Sequence, residues 1–167
     1  MEARYSKQSR TIKTSLVLPP DINHIGTMFG GKVTSYIDEV AAIAATRHAQ
    51  RTVVTASMDP VDFLSPIKRG DAVTVEGFVT WTGRSSMEVY VKVISENLYS
   101  GEKQLTATSF LTMVALDKNG KPAPVPRVIP ETDEEKYLHR TAPERQRRRK
   151  ERKQSFDTSF SLPINGA

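Results

Sequence analysis

The sequence predicts an α+β protein, a curved antiparallel β-sheet wrapped around a long central helix and followed by a charged C-terminal helix or tail. Three observations predict it. Over residues 32–48, Val33, Ile37, Val40, Ala41 and Ala44 recur at helical spacing. Alternation with a period of two appears once before that segment and repeatedly after it. The later alternating runs are joined by short turns, which makes them antiparallel neighbours, and the segment at 32–48 is the apolar helix available to cover their inner face.

The elements follow in order. Residues 9–18 read as a first strand, with Ile12, Leu16 and Leu18 on one face and Lys13, Ser15 and Val17 on the other; Pro19 and Pro20 end it. Residues 21–31 are rich in turn formers. The helix is apolar on more than one side, because Ala42, Ile43 and Ala45 fill much of its remaining surface, so it is expected to be enclosed rather than laid on a surface. Three half-buried strands come next, marked by Val54, Ala56 and Met58, by Val73, Val75, Val79 and Trp81, and by Met87, Val89, Val91 and Val93. The run at 104–116 is apolar on both faces and closes with Asp117-Lys118-Asn119-Gly120. Pro122, Pro124, Pro126 and Pro130 hold an extended connection before Glu131 opens the charged C-terminus. This divides the chain into a domain at 8–130 and, at 131–167, a charged helix with a basic, partly disordered tail. A sheet of this kind leaves apolar outer or edge surface, so a dimer is expected.

Composition excludes much. A chain of 167 residues is one domain with room for a core of its own. The absence of cysteine removes disulfides, thiolate metal sites and cysteine nucleophiles, and with three histidines no metal is expected. No apolar run reaches membrane-spanning length, and residues 1–13 are too polar for a signal peptide, so a cytoplasmic protein with no membrane partner is the expectation. The net charge of +5 is local: from Arg140 onward there are eight basic and three acidic residues, and the rest of the chain is balanced. The basic character therefore says nothing about a site. There is no Gly-x-Ser-x-Gly elbow, no Walker loop, no Gly-x-Gly-x-x-Gly and no His-x-x-x-His pair.

What remains is a carboxylate and a glycine pair. Asp38 lies among Ile37, Val40 and Ala41, where a carboxylate needs a partner or a cavity; a structural acid paired with Arg47, Lys68 or a backbone amide is the alternative. Gly30-Gly31 precedes the helix, where free amides and the positive end of the dipole suit a developing negative charge, although a tight turn needs the same residues. An oxyanion donor and a carboxylate are two ingredients of ester or thioester hydrolysis. Gly31 and Asp38 are seven positions apart, about 10 Å along the axis, so one reacting carbonyl cannot easily touch both. Two such helices side by side in a dimer would supply the amide from one chain and the carboxylate from the other. Gly83-Arg84-Ser85-Ser86 could hold a phosphate or simply turn a hairpin. Asn23-His24 reads as a polar site pair or as a hydrogen-bonding loop, and the cluster at 145–153 as a solvated helix end or a surface for nucleic acid or acidic lipid.

The run Gly26-x-x-Phe29-Gly30-Gly31-x6-Asp38-Glu39-x-Ala41, with Thr46-Arg47-His48, Val54-Thr55-Ala56-Ser57, Asp62-Phe63-Leu64-Ser65-Pro66 and Gly83-Arg84-Ser85-Ser86-Met87, resembles the hotdog-fold acyl-CoA thioesterases of the cytosolic, brain-type group over residues 8–136. The resemblance implies hydrolysis of acyl-CoA to a fatty acid and coenzyme A, with CoA as part of substrate and product and no separate cofactor. It implies that Asp38 activates water or attacks directly, and that the Gly31 or Gly30 amide polarises the thioester carbonyl. Many relatives carry Asn or Asp where this chain has Thr27, so Thr27 is the departure from the pattern within the catalytic set. CoA contacts map onto Thr55, Ser57 and the turn Gly83, Arg84, Ser85 and Ser86. Family members assemble as trimers of hotdog dimers, which implies a homohexamer, with Met28, Phe29, Val33 and Met58 beside the acyl chain. The competing readings are a noncatalytic acyl-CoA sensor, a hotdog hydratase, disfavoured because no histidine lies beside Asp38, and nucleic-acid binding through the tail, which is not expected.

Overall fold

A computed structural model describes residues 1–159. The central helix, α1 (Gly30–Ala49), contains both glycines at its start and Asp38 two turns in. It ends at Gln50, a left-handed residue (φ 51°) whose N–H donates to the Thr46 carbonyl at 2.8 Å. That conformation stops the helix before β3. Around α1 runs a five-stranded antiparallel sheet ordered β2-β4-β5-β6-β3, built from β2 (Thr11–Leu16), β3 (Thr52–Met58), β4 (Ala72–Thr82), β5 (Ser86–Glu96) and β6 (Lys103–Leu116). A short parallel pair, β1 (Arg4–Tyr5) with β7 (Val128–Ile129), ties the N-terminus to the proline-rich connection. The closing helix α2 (Asp133–Ser159) follows. The expected disordered end of the tail lies outside the described residues.

The core is the contact between α1 and the concave face. Val33, Ile37, Val40, Ala41 and Ala44 meet Val75, Val79, Met87, Val89, Val91, Val93, Leu111 and Met113, all buried. Each fully buried Val, Leu or Met side chain contributes about 1.5–3 kcal/mol, which is why one helix organises a sheet this wide. At Gly77 the helix packs so near the sheet that a Cβ would stand 3.0 Å from Val40 Cγ1 and 3.1 Å from Val91 Cγ2.

Three features depart from simple alternation. In β2 the apolar side faces outward: Ile12 and Leu16 are exposed, while Thr11 and Val17 are buried. The inner face there meets the C-terminal end of α1, where the Arg47 guanidinium donates to the Arg10 carbonyl at 2.7 Å and the Thr11 hydroxyl at 3.1 Å, so polar residues turn inward. In β3 the pairing with β6 shifts between Thr55 and Ser57. This bulge leaves Val53 and Thr55 on the inner face and turns Ser57 outward. In β4 a second bulge between Val79 and Trp81 disturbs the ladder. On the other edge of β4, beyond the end of β2, Ser6 and Ser9 of the N-terminal 3-10 turn take up Val79: Ser6 donates to the Val79 carbonyl, and the Val79 N–H donates to Ser9 Oγ at 2.9 Å.

The convex face is partly covered by the chain itself. Phe78, Tyr90 and Phe110 form an aromatic row with centroid separations of 5.8 and 5.1 Å. α2 crosses this row, laying Arg145 over Phe110 at 4.1 Å. Glu88, 2% exposed, anchors the crossing: Arg145 donates to it at 2.7 and 3.0 Å, Thr80 Oγ1 donates at 2.8 Å, and Arg149 donates to its second oxygen. Arg149 also reaches Asp59 at 2.9 and 3.1 Å.

Candidate active site

α1 sets the geometry. Asp38 sits on its half-buried flank toward the edge strand β3, and Thr55 Oγ1 donates to Asp38 Oδ1 at 2.6 Å. No ion pair engages Asp38 among the described residues. The two cations that sequence reasoning offered as partners are elsewhere: Arg47 is held by Arg10 and Thr11, and Lys68 lies in the loop that bridges to Thr27. Asp38 is thus a carboxylate fixed by one neutral hydroxyl, with Oδ2 left open.

The start of α1 is uncapped by any side chain: Phe29 at the N-cap makes no side-chain hydrogen bond into the first turn. Lys32 and Val33 donate to the Phe29 carbonyl at 3.0 and 3.1 Å, which leaves the Gly30 and Gly31 amides without a carbonyl acceptor among the described residues. Such amides carry the positive end of the helix dipole. A Cβ on Gly31 would meet nothing within 4 Å, whereas one on Gly30 would lie 3.2 Å from the Phe63 ring. Gly31 therefore opens onto free space and Gly30 onto an aromatic wall.

Beside this terminus lies a cleft of about 340 Å³, lined by Thr27, Gly30, Val33, Phe63, Leu64 and Thr106 among others. Thr27 is positioned by Asn23, whose Nδ2 donates to Thr27 Oγ1 at 2.9 Å while its Oδ1 accepts the Thr27 N–H at 3.1 Å. The Thr27 hydroxyl accepts that bond and keeps its own proton for a ligand.

The structure brings Thr27 and Gly30 together in one cleft, and Asp38 together with Thr55 two helical turns away. It does not bring the two pairs together within one chain. Gly31 and Asp38 share one unbroken helix, so their separation is that of seven residues, about 10 Å. The bulge in β3 separates Thr55 from Ser57: Thr55 faces Asp38, and Ser57 faces α2, where Arg152 donates to its hydroxyl at 3.3 Å. The turn Gly83–Ser86 closes the β4–β5 hairpin with the Gly83 N–H on the Ser86 carbonyl at 2.8 Å, and the Arg84 and Ser85 carbonyls accept from Val125 and Ala115. Arg84 stands exposed on it. His24 is exposed in its loop. Phe63, which the sequence placed only within the Asp62-Phe63-Leu64-Ser65-Pro66 run, is a wall of the cleft, and Asn23, singled out there only as a pair with His24, is the positioner of Thr27. No group of three or more His, Cys, Asp or Glu side chains is placed to hold a metal among the described residues, and no helix there is long and apolar enough to cross a membrane.

Residues 25–101 match the family model described as the thioesterase superfamily. An acyl-CoA thioester hydrolase of Bacillus subtilis is 60% identical over 91% of this chain and 88% of its own length. The cytosolic acyl coenzyme A thioester hydrolase of rat is 40% identical over 72% of this chain, which spans only 32% of that longer protein. Among solved structures, a hexameric acyl-CoA thioesterase superposes with a TM-score of 0.89 at 60% identity, covering 91% of this chain and 97% of that one. The acyl-CoA hydrolase of Staphylococcus aureus, solved with butyryl coenzyme A and coenzyme A, superposes with a TM-score of 0.88 at 46% identity, covering 93% and 94%. Alanine variants of that hydrolase at an aspartate, a threonine and an asparagine have been solved as well. The chain belongs to the thioesterase superfamily, among the hotdog-fold acyl-CoA thioester hydrolases.

Proposed function

We propose that this protein hydrolyses acyl-CoA thioesters to a free acid and coenzyme A, in the cytoplasm, as a homohexamer assembled from dimers. The observation that carries the reading is Asp38: a half-buried carboxylate with no cationic partner among the described residues, held at one oxygen by Thr55. A structural acid in this position would be expected to complete an ion pair. A general base needs the opposite, one oxygen fixed and one free to take a proton.

The chemistry runs between two chains. The acyl carbonyl approaches the Gly31 amide, with Gly30 beside it, at the start of α1, and the carboxylate comes from the Asp38 of a second copy packed alongside. Asp38 Oδ2 takes a proton from water as the water oxygen attacks the thioester carbon. The carbonyl oxygen becomes an oxyanion directed at the glycine N–H, where preorganised donors are worth about 2.7–4 kcal/mol each. The intermediate collapses, the carbon–sulfur bond breaks, and the leaving thiolate takes the proton held by Asp38. Thr27 lends a hydroxyl proton to water or carbonyl from the same cleft, and Thr55 fixes the base. The aspartate, threonine and asparagine residue types probed in the S. aureus hydrolase are also present here, as Asp38, Thr55 and Asn23. Thr55, Ser57 and the turn Gly83, Arg84, Ser85 and Ser86 contact coenzyme A, and Val33 and Met28 line the way for the acyl chain.

The test is a set of acyl-CoAs of increasing chain length assayed for free thiol. Thiol release by the wild-type protein that falls at least about 10²-fold in Asp38→Asn, with CoA binding retained, supports the reading. Acyl-CoA binding without thiol release would identify a noncatalytic sensor instead.

A further inference from the structure

The cleft beside the start of α1 is apolar along its length and ends on a hydroxyl. Met28, Val33 and Ile67 line it, all buried, and Phe63 stands against Gly30. The segment 63–67 spans it and is tied at both ends: the Leu64 N–H donates to the Thr106 carbonyl at 2.7 Å, and the Ile67 carbonyl accepts from the Met28 N–H at 2.8 Å. Thr106, 1% exposed, interrupts the apolar lining. We infer that Thr106, backed by Ser95, is a specificity residue that stops an apolar acyl chain at this point, so that the favoured substrates carry short acyl groups or acyl groups whose far end bears a hydroxyl. The inference rests on the thioesterase reading above, with the acyl group lying in this cleft.

A bulge builds the stop. In the ladder between β5 and β6, Val93 pairs with Ala107 and Ile94 with Leu105, which makes Thr106 the extra residue. Ala107 faces the core, so strict alternation would send Thr106 to the convex side and Leu105 inward. The bulge reverses both: Thr106 is buried and Leu105 is half exposed. Thr106 Oγ1 donates to Ser95 Oγ at 3.3 Å, and Ser65 Oγ lies 3.4 Å from Thr106 Oγ1 while donating to the Leu105 carbonyl at 3.3 Å. Thr106 and Ser95 are interior to one chain, so a second copy packed alongside leaves them in place.

The far side of the stop is polar. Ser95 lines a separate hollow of about 260 Å³ with Lys68, Asp71, Asn97, Glu102 and Gln104, and Pro66 borders both spaces. Each methylene laid on the apolar cleft is worth about fourfold in affinity. A methylene pushed past Thr106 gains nothing of the kind, because it parts the hydroxyls and meets charged and amide groups. A purely structural role explains the cluster poorly: valine would fill the position of Thr106 among apolar neighbours, and these oxygen separations exceed the usual range of about 2.5–3.0 Å. Loosely bonded hydroxyls keep donor and acceptor capacity for a hydroxyl brought by the substrate.

The test compares the wild-type protein, T106V/S95A and T106S on straight-chain acyl-CoAs of increasing length and on the matching ω-hydroxyacyl-CoAs. In the wild type, kcat/KM should grow about fourfold per methylene up to one length and then stop growing. In T106V/S95A the growth should continue past that length, and T106S should keep the wild-type break. At the break, a terminal hydroxyl should raise wild-type kcat/KM about two- to tenfold, a preference the double variant loses. A wild-type profile without a break overturns the inference, as does a break at the same length in T106V/S95A or an equal change at every length. If the wild-type protein releases thiol from no acyl-CoA, the thioesterase reading fails by itself. Calorimetric titration with S-alkyl-CoA thioethers of the same lengths, which bind without being hydrolysed, then judges the stop: affinities that level off at one length in wild type and double variant alike reject it.

Discussion

Thr55 Oγ1 donates to Asp38 Oδ1 at 2.6 Å, joining the edge strand of the sheet to the middle of the helix it encloses. The contact exists because the β3 bulge falls immediately after Thr55 and not before it. Moved by one residue, the bulge would turn Thr55 to the convex face and leave the carboxylate without its hydroxyl.

Thr55→Val removes that donor at nearly constant volume. A hydrogen bond to a charged group is worth about 1.5–3 kcal/mol, and partial exposure of this pair reduces it, so kcat should fall about tenfold. Thr55→Ser should restore most of the rate. The check is kcat and KM for one acyl-CoA across the three proteins: equal rates in Val and Thr would mean that Asp38 needs no positioning.

The two glycines at the start of α1 should separate in the same assay. Gly31 faces open space, so Gly31→Ala keeps its amide and should fold as the wild-type protein does. Gly30→Ala sets a methyl 3.2 Å from the Phe63 ring, which has to give way, so the cleft changes shape. The expected outcome is a larger rise in KM for long-chain than for short-chain acyl-CoA in Gly30→Ala, removed by Phe63→Leu. A Gly30→Ala protein with uniform kinetics on all chain lengths would separate the cleft from the acyl chain.

The order of elements was legible because periodicity reports which face is buried: the change from two to 3.6 at residues 32–48 and back again marks the helix and its strands. For β2 that reading gave the two faces and not which one points inward. Ile12 and Leu16 share a face as the spacing says, but it is the outer one, because the inner face there meets Arg47 and takes hydroxyls. Asp38 stood out as a carboxylate among apolar neighbours, whereas its partner could not, since bonding between positions 38 and 55 depends on where a bulge falls. The anchoring of α2 was hidden for a related reason. Glu88 has the place of an ordinary outward residue in an alternating strand, and only the crossing helix buries it.

That burial makes Glu88 a strong stability test. Glu88→Ala strands Arg145, 16% exposed, and leaves Arg149, 12% exposed, with Asp59 as its remaining carboxylate. Removing one partner of a buried ion pair costs about 3–5 kcal/mol. Chemical denaturation should show a loss of that size, or α2 detaching ahead of the sheet. Replacing Glu88 and Arg145 together by Leu should recover part of it, since Phe110 and Ala142 already surround the site with apolar surface. A Glu88→Ala protein as stable as the wild type would mean that α2 is held by its apolar contacts alone.

His48 supplies the pH dependence. It is fully buried, its Nε2 lies 2.8 Å from the Pro126 carbonyl, and its Nδ1 has no hydrogen-bond partner among the described residues. Burial lowers its pKa below the ordinary 6.5, and nearby Arg4 pushes in the same direction. The folded state therefore holds a neutral ring that donates from Nε2, while the unfolded chain takes up a proton near pH 6.5. With more protons bound in the unfolded state, stability rises with pH in this window. The contribution is complete above about pH 6.5 and is lost as pH falls from there through the lowered folded pKa. Denaturation midpoints measured between about pH 7.5 and 5 should fall in the wild-type protein. In His48→Gln, whose amide can still donate to Pro126, the slope due to this ring should vanish even if the whole curve sits lower. Parallel curves for the two proteins would show that the acid sensitivity comes from other groups.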